Sequence, residues 1–239
     1  MAPLIEVKDL RFRYPDGTPA LNGIDFRLYL GETVALLGAN GSGKTTFVLH
    51  LNGILQGEGL VSVCGMQLSK ETLPDIRRKV GLVFQEADEQ LFMPTVLDDV
   101  TFGLLNLGIS PEEAATQGRE ALARVGMEGA GGKAPYHLSA GEKRRVALAG
   151  VLVMRPEILI LDEPTTYLDP PGQRNLLELL RELPQAKIVV THSTTLALAV
   201  SQRAVFFQKG KIAGEGVTEE IIQRFQWDAR QPCRGIHGG

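Results

Sequence analysis

Thr33-Val34-Ala35-Leu36-Leu37-Gly38-Ala39-Asn40-Gly41-Ser42-Gly43-Lys44-Thr45 is the stretch on which the reading of the fold turns. A short apolar run suited to a buried parallel strand leads into the pattern G-x-x-x-x-G-K-[ST], a phosphate-binding loop. Its glycines let the backbone curl, so that the N–H groups of Gly38, Ala39, Asn40, Gly41, Ser42 and Gly43 turn inward toward phosphate oxygens. A helix starting near Lys44 adds the partial positive charge of its N-terminus. Lys44 is placed to reach β- and γ-phosphates and the Thr45 hydroxyl to ligate Mg²⁺; Thr46 is counted with them. Phe47, Leu51, Ile54 and Leu55 fall on one stripe and predict the helix that follows. Strand, loop and helix in this order open a βαβ unit, and with it an α/β fold of the P-loop NTPase class.

Further along, Ile158-Leu159-Ile160-Leu161 delivers Asp162 and Glu163 to the end of a second buried strand. Ligands of parallel sheets bind at strand C-termini. There Asp162 can hold Mg²⁺ through water and Glu163 can polarise an attacking water. Alone, two carboxylates at a strand end read as a solvated pair; beside a phosphate loop they read as metal holder and base.

Around these motifs the chain keeps an α/β rhythm. Leu4–Tyr14 and Ile24–Leu28 alternate apolar and polar residues, the pattern of half-buried strands, with a turn at Pro15-Asp16-Gly17 between them. From about 98 to 135 the texture becomes helical, with Ala115, Leu122 and Val125 spaced along Pro111–Val125. A helix is then expected around 140–154, another at 172–182, and strands at Ile158–Leu161 and Lys187–Thr191. Lys143-Arg144-Arg145 reads as the exposed first turns of a helix, Cys64 as a strand residue without chemistry, and Trp227 as an anchor for the final helix. The expected organisation is one domain over residues 1–229, with a helical subdomain at about 98–155, and a fraying polar tail over 230–239.

Composition narrows the classes. The 239 residues carry 25 Lys+Arg against 28 Asp+Glu, net charge -3, so no basic balance argues for nucleic acid. Two cysteines, Cys64 and Cys233, suggest neither a disulfide framework nor a zinc site. No apolar run approaches the roughly 20 residues of a membrane span, and Met1–Glu6 lacks the features of a signal peptide. A cytoplasmic globular protein is the expectation.

Further motifs carry a family resemblance. Leu138-Ser139-Ala140-Gly141-Glu142 resembles the LSGGQ signature of ABC ATPases, and Gln85 stands where that family has its Q-loop. His192 matches the family's switch histidine, Tyr14 its adenine-stacking aromatic, and Asp169, in Thr166-Tyr167-Leu168-Asp169-Pro170, its D-loop. Order and spacing agree from residue 4 to about 225. Ala140, Glu142, Tyr167 and Ser193 depart from the family's usual residues. Within the family, His50–Leu55, Val83–Phe92 and Leu138–Gly150 look like the ATPase subunits of energy-coupling-factor importers, which take up cobalt, nickel or vitamins. The resemblance implies a RecA-like core, an N-terminal antiparallel β subdomain and a helical insert. It implies ATP and Mg²⁺ as cofactors, with Gln85 and Asp162 joining Thr45 at the metal and Glu163, His192 and Gln85 serving catalysis. It also implies a two-chain site, in which Ser139, Gly141 and Glu142 face the nucleotide of a second ATPase subunit. The remaining partners would be a transmembrane coupling subunit, met beside Gln85–Pro94, and a substrate-binding membrane subunit, with the chain peripheral on the cytoplasmic face. Another ABC transporter class, and an ABC ATPase acting away from membranes, are the alternatives.

Overall fold

The computed structural model describes residues 2–227; the predicted tail at 230–239 lies outside the described residues. The chain opens with β1 (Ile5–Arg13), β2 (Pro19–Leu28) and β3 (Thr33–Leu37), followed by α1 (Lys44–Leu51), β4 (Glu58–Val63) and β5 (Met66–Gln67). Next come α2 (Leu73–Lys79), β6 (Val80–Val83), α3 (Val96–Asn106), α4 (Pro111–Arg124) and α5 (Ala140–Leu152). The last third holds β7 (Ile158–Asp162), α6 (Pro170–Glu182), β8 (Ala186–Val190), α7 (Thr194–Val200), β9 (Arg203–Gln208), β10 (Lys211–Val217) and α8 (Thr218–Arg224).

The strands form two sheets, an antiparallel one in the order β2-β1-β4-β5 and a six-stranded one in the order β10-β9-β3-β8-β7-β6. In the larger sheet β9, β3, β8, β7 and β6 run parallel and only β10 is antiparallel. Strand periodicity divides the core in two. Ile158 and Ile160, with Ala186, Ile188 and Val190, turn toward the antiparallel sheet and α1. Leu159, Leu161 and Val189 turn the other way, onto residues of α3 to α7. Because both faces are covered, these strands read as apolar runs rather than alternations. Lys187 is the exception in β8: its buried ammonium donates to the carbonyls of Leu183 (2.6 Å) and Gln185 (2.9 Å).

Local signals set the helix starts. Ser110 caps α4 by accepting from Glu113 N, with Pro111 in the first turn, and Thr95 caps α3 through Asp98 N. Ser193, one of the departures from the family pattern, caps α7 by accepting from Leu196 N at 3.1 Å. Among the described residues no helix is long and apolar enough to cross a membrane.

Four expectations are corrected. The helix after the phosphate loop stops at Leu51, so Ile54 and Leu55 lie beyond it, and Ile54 is exposed. The cause is Gly53, at φ +68, where a Cβ would sit 2.4 Å from Leu73 Cδ1; a left-handed residue just past the last turn ends an α-helix. On α4 the buried face is Ala114, Gly118, Ala121 and Leu122, with Ala115 only half-buried. Cys64 is not in a strand but in the turn after β4, at φ +49, where burial and Glu157 push its thiol up to about 11. Arg144 is buried, for reasons that belong to the site.

Gly53→Ala should destabilise the chain by about 1–3 kcal/mol, since it imposes both a left-handed alanine and a collision with Leu73. Urea unfolding with an unchanged midpoint would contradict this account of the helix stop.

Candidate nucleotide site

The parallel strands β3, β8, β7 and β6 end on one edge of the sheet, and each contributes to a single cavity of about 380 Å³. Asn40–Gly43 of the loop after β3 and Lys44–Thr46 at the start of α1 form one wall, Asp162 at the end of β7 and Glu163 after it another, with His192 after β8 and Gln85 after β6 closing the sides. Thr166 and Val190 also line it; neither was singled out from the sequence.

The loop is held by its own lysine. Lys44 is buried, and its ammonium donates to the carbonyls of Gly38 (2.6 Å) and Ala39 (3.0 Å). Burial lowers its pKa, opposed by the nearby charges of Glu163 and Asp162. Gly38, at φ +135, lies so close to β9 that a Cβ would sit 2.2 Å from the Phe207 carbonyl oxygen; only glycine fits there. Gly43, the N-cap of α1, offers no side chain to the first-turn amides. Those amides lack an intrahelical acceptor and remain available to an anion.

The far wall is acidic. Asp162 is almost fully buried, and its Oδ2 accepts the Thr45 hydroxyl at 2.8 Å. Burial raises its pKa, against the Thr45 hydrogen bond and the charges of Lys44 and Arg144. Glu163 adopts φ +47, uncommon for a side-chain-bearing residue, and its N–H donates to Val190 O at 2.9 Å. Its pKa is raised chiefly by burial, with repulsion from Asp162 adding to it. Asp162 Oδ1 and Glu163 Oε1 are buried without a hydrogen-bond partner, although Glu163 Oε1 lies 3.3 Å from His192 Nε2. Burial, with Lys44 adding to it, lowers the pKa of His192.

The other predicted residues do not line this cavity. Tyr14 stands just outside, its hydroxyl 2.9 Å from Thr46 Oγ1. Ser139 and Glu142 form a capping box at the start of α5: Glu142 Oε2 accepts from Ser139 N and Oγ, both at 2.8 Å, and Ser139 Oγ accepts from Glu142 N. The carboxylate of Glu142 is thus folded back on its own helix terminus, and those hydrogen bonds lower its pKa. Gly141 lies in the same turn, 3.2 Å from the Tyr167 carbonyl oxygen when given a Cβ. Asp169 caps α6 by accepting from Gly172 N at 2.9 Å. Tyr167 is 59% exposed at φ +66.

Two residues gain importance from the structure. Arg144, expected on an exposed face, is 4% exposed and hydrogen-bonded to backbone carbonyls beside Gln85 and Asp162. A signal for this was present: Val146, Ala147, Leu148 and Ala149 give α5 buried positions on successive sides, which leaves little exposed face. Trp227, expected only to anchor the last helix, packs edge-on to Phe206 at 5.3 Å, with its ring 5.9 Å from that of His192. No periodicity links residues 192 and 227, so only the fold brings them together.

Glu163 is buried with a raised pKa, so the nucleotide-free fold is weakened at neutral pH by ionising it. Glu163→Gln should therefore stabilise that fold by about 1 kcal/mol. The gain should shrink as pH falls through the raised native pKa and vanish below the ordinary carboxylate pKa, where wild-type Glu163 is protonated in both states. Denaturant melts that show no gain at neutral pH, or one growing toward acid, would contradict the electrostatic account. Separately, fluorescence of Trp227, the only tryptophan, should be quenched by protonation of His192 with a midpoint below the ordinary histidine value. A quench that survives His192→Ala would refute the ring contact.

Comparison with known proteins agrees with the geometry. The sequence profile of the family described as "ABC transporter" matches residues 21–166. The chain is 47% identical to the energy-coupling factor transporter ATP-binding protein EcfA of Methanocaldococcus jannaschii, over 92% of this chain and 81% of that one. Among solved structures it resembles CbiO1 of Clostridium perfringens, described as part of the ABC transporter complex CbiONQ. The TM-score is 0.82 at 36% identity, covering 95% of this chain and 93% of that one. It also superimposes on the ATP-binding cassette MJ0796, solved as a dimer in a post-hydrolysis state with ADP and Pi. That match has a TM-score of 0.82 at 27% identity, over 90% of this chain and 98% of that one. The chain belongs to the ABC transporter family and is one of its ATP-binding, ATP-hydrolysing subunits.

Proposed function

We propose that this chain is the ATPase of an energy-coupling-factor type importer, using Mg·ATP to drive uptake of a metal ion (cobalt or nickel) or a vitamin through membrane subunits. The observation that carries the ATPase half of this reading is the convergence of Lys44, Thr45, Gln85, Asp162, Glu163 and His192 on one cavity. The likeness to EcfA and CbiO1 supports the importer half.

In this reading the backbone of the loop Gly38–Gly43 and the ammonium of Lys44 hold the phosphates, although the Ser42 N–H is already engaged by the Ala39 carbonyl at 3.1 Å. The donor set fits Mg²⁺: the Thr45 hydroxyl sits against Asp162, and Asp162 Oδ1 is a buried oxygen without a partner. When bound, Mg²⁺ supplies charge neutralisation to the phosphate oxygens. Gln85 and Asp162 orient it, and the Tyr14 ring flanks the base. Glu163, its carboxylate made more basic by burial, orients or deprotonates the attacking water. The lowered pKa of His192 keeps its ring neutral near pH 7, and Nε2 toward Glu163 lets it respond to the γ-phosphate.

Ser139, Gly141 and Glu142 serve the nucleotide of a second ATPase subunit in this scheme, and Asp169 belongs to the same contact. Their position off the cavity of their own chain is in keeping with that division. A membrane subunit would be met beside the loop that follows Gln85. That loop is braced by Asp99 Oδ1, which accepts from Phe92 N and Met93 N at 2.9 Å. Gln90 ties it back to Phe84 and Leu82. Phe92, 64% exposed, packs edge-on to Phe102, and Leu105 is also exposed. A braced loop with an uncovered apolar tip suits a short helix from a membrane partner, which would hold the chain at the cytoplasmic face.

Glu163→Gln should keep ATP binding and lower hydrolysis by about 10²–10⁴-fold; wild-type turnover in the purified variant would remove Glu163 from this role. Lys44→Ala should weaken ATP binding at least about tenfold. Affinity purification of the tagged chain from native membranes should recover a second ATPase subunit and integral membrane proteins. Recovery with ribosomes or DNA would overturn the transporter reading.

A further inference from the structure

Arg144 lies in the second turn of α5, the helix that Ser139 opens, yet its guanidinium reaches the ends of two strands of the parallel sheet. Nη1 donates to Phe84 O and to Asp162 O, both at 3.3 Å, and Nη2 donates to Gln85 O at 2.5 Å. The side chain is 4% exposed, and among the described residues no carboxylate stands within ion-pair distance of it. A buried cation without an anionic partner is unfavourable unless its donors are taken up. Here both terminal nitrogens are taken up by carbonyls of the two segments that carry Gln85 and Asp162, while Nε is buried without a partner.

The hydrogen-bond pattern makes the arrangement specific. The guanidinium reaches three carbonyls from two nitrogens held in a rigid plane, whereas lysine has its three N–H groups on a single rotating atom. The carbonyls belong to Phe84 and Gln85, where the chain leaves β6, and to Asp162, the last residue of β7. Without the guanidinium, three carbonyl oxygens just beyond the β6–β7 pairing, which reaches Val83 and Leu161, would lose this donor and the two segments their shared side-chain tie.

We propose that Arg144 is a positioning residue for the divalent cation: it clamps Gln85 and Asp162 at a fixed separation and links that separation to α5, which begins at Ser139. The inference rests on the assignment of Gln85 and Asp162 to Mg²⁺ made above. It follows that Arg144 acts on how Mg²⁺ improves nucleotide binding and not on the nucleotide's hold on the phosphate loop, which Arg144 does not touch. Because the clamp joins α5 to both strand ends, a change in the spacing of Gln85 and Asp162 is felt at Ser139.

The test is calorimetric titration of the full chain with a non-hydrolysable ATP analogue, in EDTA and in a series of Mg²⁺ concentrations, for wild type, Arg144→Lys and Arg144→Met. Both variants should bind within about twofold of wild type in EDTA. The gain in affinity on adding Mg²⁺ should fall by roughly tenfold, as when groups supporting metal ligands are removed. Arg144→Lys keeps the charge without the fork and decides the matter if Arg144→Met does not fold. Equal losses with and without Mg²⁺ would make Arg144 a packing residue and overturn the proposal. So would a wild-type gain preserved in the folded variants. A wild-type chain that binds no better with Mg²⁺ than in EDTA would overturn the metal assignment itself, and the proposal with it.

Discussion

Asp162 ends, and Glu163 follows, a strand that is buried along its whole length, and burial raises the pKa of both carboxyls. Two adjacent carboxylates below the surface are an electrostatic liability, and much of the architecture compensates for it. The order β3-β8-β7 lets the loop after β3 lean over the end of β8, so that Lys44 and Thr45 meet the acidic pair. The compensation is partial, since one oxygen of each carboxylate is left without a hydrogen bond. Unsatisfied negative charge on one wall and a cationic loop on the other are what the proposed reading, a phosphate ligand accompanied by a cation, would use.

The molecule solves a second electrostatic problem the same way three times. Lys44, Arg144 and Lys187 are all buried, and each is held by backbone carbonyls rather than by a carboxylate. The carbonyls lie at strand ends: Gly38 and Ala39 after β3, Phe84 and Gln85 after β6 with Asp162 at the end of β7, Leu183 and Gln185 before β8. A cation satisfied by carbonyls fixes the path of the backbone that carries them. In two of the three cases that backbone bears residues of the nucleotide cavity. The outer side of α5 adds an ordinary ion pair, Lys143 to Asp88, which joins the helix to the segment after Gln85.

Much of the cavity was legible because its residues sit in short motifs whose backbone conformation is local. The loop from Gly38 to Thr45 and the run Ile158–Glu163 each state their own geometry, through glycine spacing and an apolar strand that stops at charge. The parts that were misread depend on neighbours distant in sequence. Ile54 and Leu55 continue a helical stripe on paper, but Leu73, brought in from α2, requires a glycine at 53 and ends the helix there. Arg144 stands in a basic triplet that looks solvated, and only the approach of β6 and β7 supplies the carbonyls that let it be buried.

By itself the sequence determined the class of fold, the phosphate loop and the acidic strand end, because periodicity and glycine placement act over a few residues. The helix caps, Ser193 among them, are as local, since a cap is a contact between residues three apart. Tertiary structure alone decided which charged groups are buried, how far each pKa moves, and that Trp227 lies beside His192. Those properties depend on desolvation and on partners supplied by other strands, and neither quantity exists until the sheet has formed.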